Sequence, residues 1–116
     1  MLSVLSLLLA PLQGGAPHLT AQFDAPAGTR VDLWAESPLL YNPTALDVDA
    51  QGRVWVAEAV NYRQWQGRNP GRHHAAGDRI LVLEDRDGDG AAETSTVFAQ
   101  DADLVAPLGV AVIGDR

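Results

Sequence analysis

The sequence predicts an all-β chain. Two runs, Val54-Trp55-Val56-Ala57 and Ile80-Leu81-Val82-Leu83, have strand length and are apolar at successive positions. Strands of that kind need cover on both faces. Beyond the first dozen residues, no stretch repeats its apolar side chains at helical spacing.

Taken in order, the chain begins with an apolar run over residues 1–12. A bilayer span needs about 20 apolar residues, so this run is too short to cross a membrane. It resembles the hydrophobic region of a secretory signal, with small residues for cleavage at Gly14, Gly15 and Ala16 or later at Ala21. The alternative is a buried N-terminal segment. Residues 1–21 are accordingly expected to be signal peptide and linker, which implies a periplasmic or secreted protein, and residues 22–116 the folded domain. Residues 13–29, rich in Gly, Pro, Ala and Thr, have the texture of a linker. Arg30-Val31-Asp32-Leu33-Trp34 then alternates polar and apolar, as a half-buried strand does. Ser37-Pro38 and Asn42-Pro43 punctuate a loop, because the residue before proline is pushed out of helical geometry.

Four further strands are expected, over residues 45–49, 54–58, 79–84 and 94–99. A glycine turn, Ala50-Gln51-Gly52-Arg53, joins the first two. Residues 60–78 form a long insertion between the second and third. A loop of that length in a compact domain is usually functional or mobile. Pro43-Thr44-Ala45-Leu46-Asp47-Val48 lies over Pro107-Leu108-Gly109-Val110-Ala111-Val112 at a spacing of 64 residues. Four antiparallel strands followed by a restart is the pattern of a β-propeller blade. The chain thus reads as the first blade and the start of the second in an incomplete propeller. A propeller closes with about four to eight blades, so further blades are needed for closure.

Composition narrows the chemistry. A net charge of −7 and a pI near 4.6 exclude a nucleic-acid-binding face, which must be basic. The eight basic residues are all arginine and scattered. There is no cysteine, which removes disulfides, thiol catalysis, cysteine-held zinc, covalent c-type haem and a lipoprotein anchor from this chain.

Residues 84–93 hold five acids against one arginine. Asp85, Asp87 and Asp89 occur at every second position, with Gly88 and Gly90 between or after them. Calcium takes six to eight hard oxygen ligands, and this spacing brings three carboxylates around a glycine turn. They are the candidate metal ligands, with the Ala91 carbonyl as a further donor. The loop departs from an EF-hand, since Thr96 holds the twelfth position and strands flank it. Glu93, Asp101 or Asp103 would have to supply the closing ligand. The alternative is a solvated acidic turn, which Asp and Gly favour without a metal. His73-His74 are adjacent and point opposite ways in extended chain, so a solvent-exposed pair is expected. His18 falls in the linker. Asn61, Tyr62 and Arg63, followed by Trp65, Arg68 and Arg72, form an aromatic and basic loop whose donors suit a sugar or an anionic cofactor. Surface-loop packing is the alternative. No catalytic residue is assigned: the chain lacks a nucleophile elbow, a phosphate loop and a catalytic carboxylate pair.

Val54-Trp55-Val56-Ala57-Glu58-Ala59-Val60-Asn61-Tyr62-Arg63, Gly77-Asp78-Arg79-Ile80-Leu81-Val82-Leu83-Glu84-Asp85, Asp87-Gly88-Asp89-Gly90 and Thr96-Val97-Phe98 together resemble the start of a large bacterial propeller family. These are the secreted, membrane-bound-dehydrogenase-like and haem-binding proteins common in planctomycetes and their relatives. The resemblance covers about residues 22–116. It implies a propeller like that of the quinone (PQQ)-dependent sugar dehydrogenases and a sugar or alcohol substrate. It transfers a calcium or turn role to the Asp87-Gly88-Asp89-Gly90 loop, and Asn61, Tyr62 and Arg63 as cofactor candidates. The family's histidine-containing catalytic motifs and its CxxCH haem site lie further along than this chain extends, so the chain by itself is expected to be inactive. A non-enzymatic carbohydrate- or protein-binding propeller is the competing expectation.

Overall fold

The computed structural model describes residues 23–62 and 73–114. The N-terminal apolar run, His18, Arg63, Trp65, Arg68 and Arg72 therefore lie outside the described residues. The chain divides into two compact units, Met1–Leu33 and Trp34–Arg116.

In the described part of the first unit, residues 26–29 form a turn. The backbone N–H and hydroxyl of Thr29 both approach the Pro26 carbonyl, at 3.0 and 2.6 Å. Arg30 and Asp32 form an exposed ion pair. The strand expected over residues 30–34 is not present. Its alternating pattern is real, but no second strand pairs with it, and an isolated strand leaves its backbone donors and acceptors to water.

The second unit is a four-stranded antiparallel sheet. Its strands are β1 (Pro43–Val48), β2 (Val54–Glu58), β3 (Arg79–Glu84) and β4 (Thr94–Gln100), in the spatial order β1-β2-β3-β4. All four expected strands are present, and those at 54–58 and 79–84 have the expected bounds. β1 begins two residues early and stops before Asp49, which instead builds the turn into β2.

Pairing of β2 with β3 places Val54 opposite Leu83 and Val56 opposite Leu81. These residues share one face, and Val56, Leu81 and Leu83 form its buried core. Trp34, Ala35, Leu39, Leu40 and Ala92 cover it, and the Trp34 carbonyl accepts the Ala92 N–H at 2.8 Å. Leu81 and Leu83 are 1% and 0% exposed, and burial of each is worth about 2 kcal/mol.

The opposite face carries Trp55, Val82 and Thr96 in a cross-strand row. The β3–β4 register shifts so that Phe98 is the extra residue between Val97 and Ala99. This bulge sets the Phe98 ring edge-on to Trp55, with centroids 4.7 Å apart. Ala57 and Val82 are buried as expected for doubly covered strands, whereas Phe98 remains 65% exposed. A cavity of about 860 Å³ opens over this face, with residues 109–114 along its far side.

Residues 107–113 form no strand, in contrast to the expected opening strand of a second blade. They nevertheless run beside β1 in the same direction. The Thr44 hydroxyl contacts the Pro107 carbonyl at 2.5 Å, and Val112 N–H donates to Asp47 Oδ2 at 2.7 Å. These bonds use β1 side chains instead of its backbone edge, so the ladder is not extended.

Gly77 lies where the long loop meets the residues after β4. Its φ is +98°, and an added Cβ would sit 1.6 Å from the Asp101 carbonyl oxygen. Gly52 has φ +80° but open space around it. Gly77→Ala should therefore cost roughly 3 kcal/mol or more, against about 1 kcal/mol for Gly52→Ala. Urea denaturation of the two variants measures the difference, and equal losses would contradict the close approach.

Candidate functional site

The acidic loop between β3 and β4 is folded by its own carboxylates. Asp85 Oδ1 accepts the N–H groups of Gly88 and Asp89 at 2.7 and 3.2 Å, while its Oδ2 accepts that of Gly90 at 3.0 Å. Asp87 accepts from Asp89, and Asp89 accepts from Ala91. Gly88 and Gly90 have φ values of +74° and +95°, a region that side-chain-bearing residues rarely enter. Glu93 closes the loop by accepting the Arg86 N–H at 2.8 Å, and Arg86 pairs with Glu84 at the surface.

Asp85, Asp87, Asp89 and Glu93 each place one carboxylate oxygen within 4.8 Å of the others. Calcium–oxygen bonds are about 2.4 Å, so oxygens around one calcium ion lie no more than about 4.8 Å apart. The four groups meet that requirement and are hard oxygen donors. Glu93 thus joins the three aspartates. Asp101 does not: its carboxylate accepts the Asp103 N–H, and its carbonyl accepts that of Leu104. Asp101 and Asp103 shape the turn after β4 instead.

At the base of the long loop, Asn61 is committed to the backbone. Its amide nitrogen donates to the His74 carbonyl, and its amide oxygen accepts the His74 N–H, both at 2.9 Å. This pair of bonds ties the two ends of the loop together. Tyr62 is exposed. His73 is exposed and His74 half-buried, and neither joins an acidic or histidine cluster among the described residues.

Three carboxylates not singled out from the sequence organise the rest of the unit. Asp78 is 0% exposed. One oxygen accepts the Asn61 N–H at 2.9 Å and the other accepts the Ala106 N–H at 2.8 Å. Glu58 is also 0% exposed. It accepts the Tyr41 N–H through Oε1 and pairs through Oε2 with Arg79 Nε, each at 2.6 Å. The register places Glu58 directly opposite Arg79. Opposite charges at the ends of two adjacent apolar runs were the available signal for this pair. A buried ion pair is only modestly stabilising, but loss of one partner typically costs about 3–5 kcal/mol because the other is left unpaired.

Asp49 gathers the β1–β2 turn. Its Oδ1 accepts the N–H groups of Gln51 and Arg53, and its Oδ2 accepts from Arg53 Nε and Trp55 Nε1. Burial acts to raise the Asp49 pKa. The donors of Trp55, Arg53 and Gln51 outweigh it and hold the carboxyl down from 3.8 to about 2. A carboxyl depressed on folding adds stability that is fully present above its unfolded pKa and is lost as pH falls toward the folded value. Stability should therefore decline between about pH 4 and pH 2. Asp49→Ala should lower stability at neutral pH and flatten that acid limb. Urea midpoints across this pH range provide the measurement, and an unchanged slope would remove Asp49 as a cause.

Comparison with curated proteins and with solved structures gives no match. Residues 18–116 match the family model of DUF7133, a domain of unknown function. That match spans most of the chain, which therefore belongs to the DUF7133 family.

Proposed function

We propose that this chain is the opening blade of a secreted β-propeller resembling the quinone-dependent sugar and alcohol dehydrogenases. The observation that carries the reading is the seating of residues 107–112 beside β1, in the same direction and near repeat-equivalent positions. In a propeller, the chain leaves the last strand of one blade and enters the first strand of the next in this way. The open face around Trp55 and Phe98 supports the same reading, because blades stack face to face and cover one another's apolar side chains. The apolar N-terminal run supports export to the periplasm or the exterior.

In such a dehydrogenase the quinone accepts hydride from an alcohol carbon while a base removes the hydroxyl proton. The cofactor candidates Asn61, Tyr62 and Arg63 are assigned no contact with that group. Asn61 has both amide atoms on the His74 backbone, Tyr62 is exposed, and Arg63 lies outside the described residues. No step of the reaction is assigned to this chain. In this reading the chain's role is architectural. Quinone-dependent dye reduction by a complete propeller that includes this chain, across a sugar and alcohol panel, should be positive. Carbohydrate-array binding without reduction would instead establish the non-enzymatic module.

Asp85, Asp87, Asp89 and Glu93 are the residues that would hold calcium, as a staple of the β3–β4 hairpin. An ion there would offset the mutual repulsion of four close carboxylates. Titration calorimetry should detect calcium binding, and Asp87→Asn with Asp89→Asn should abolish it. Absence of binding at millimolar calcium would leave these residues as turn formers.

A further inference from the structure

We propose that the Asp47 carboxylate is the pin that sets the register between β1 and the first segment of the following repeat. The proposal rests on the repeat reading and adds the residue that enforces it. Asp47 Oδ1 accepts the N–H of its neighbour Val48 at 2.8 Å, and Oδ2 accepts the N–H of Val112 at 2.7 Å. Val112 is the residue that the 64-residue repeat places over Val48. One carboxylate thus holds the same backbone position in two successive repeats.

The returning segment is guided to that position. Asp78 accepts the Ala106 N–H, and its own N–H donates to Leu104. Ala106 has φ +51°, so the chain bends sharply there before it turns back along β1. Thr44 then meets Pro107 at the start of the segment, and Asp47 meets Val112 near its end. A slip of one residue would remove Val112 from the carboxylate and present the other face of the segment to β1.

The second copy of the repeat carries no counterpart of this device. The repeat places Leu108 over Thr44 and Ala111 over Asp47, and neither can accept or donate through its side chain. The partner that fits the Thr44–Asp47 edge is therefore an extended segment running parallel to β1 with a free N–H five residues after a carbonyl. Residues 107–112 satisfy that description. Both N–H groups facing Asp47 need an acceptor. Asparagine would turn its NH₂ toward one of them, so Asp47→Asn should break one bond at nearly constant volume.

Amide hydrogen exchange on the full chain tests the pin, with Leu81 as the reporter of the intact sheet. In the unmodified chain, the Val112 N–H should be protected. In Asp47→Asn and Asp47→Ala, it should exchange at least about tenfold faster while Leu81 is unchanged, the expected response to loss of local protection. Thr44→Val, which leaves Asp47 in place, should retain Val112 protection. An unprotected Val112 in the unmodified chain overturns the proposal whatever the variants do, as does a Val112 rate unaffected by Asp47→Ala. A protected Val112 whose segment joins no blade in a complete propeller would keep the pin and remove the repeat reading.

Discussion

Carboxylates take up many of the backbone N–H groups that the four strands leave unpaired, and the turns and loops of the second unit depend on them. Asp49 holds the β1–β2 turn, Asp78 holds the base of the long loop and the exit from β4, and Glu58 holds the approach to β1. Asp85 winds the β3–β4 loop. A buried N–H without an acceptor costs about as much as a lost hydrogen bond. Asp49, Glu58 and Asp78 each accept from more than one part-buried donor, so removal of any one of them leaves more than one donor without its acceptor.

The same chemistry frames the question of a metal at the acidic loop. Asp85 already uses both oxygens on backbone donors, so the loop holds its shape through its own hydrogen bonds. The oxygens gathered from Asp85, Asp87, Asp89 and Glu93 are spaced for a hard cation. Preorganisation of this sort suits calcium, which accepts flexible oxygen geometry.

The four strands were legible because their apolar runs are short, bounded by turn residues and free of helical spacing. The loop at Asp85 was legible because glycine and aspartate at alternate positions dictate a turn. Residues 30–34 misled, since alternation describes a strand only when a partner stands alongside it. Asp49, Glu58 and Asp78 were not legible as organising residues. Each lies beside an apolar run, where an acid usually marks a solvated strand end, and only the register of β2 against β3 places Glu58 opposite Arg79. The bonds of the Asn61 amide to the His74 backbone cross a gap in sequence that no local pattern spans.

By itself, the sequence determined the all-β class, the positions of the strands and the acidic turn, because these follow from side-chain period and local backbone preference. The tertiary structure decided which acids are buried, which face of the sheet stays open and where residues 107–112 come to rest. Those outcomes depend on contacts between residues far apart in the chain, such as Thr44 with Pro107 and Asp47 with Val112. Such contacts join residues more than sixty positions apart, which local side-chain period and backbone preference do not encode.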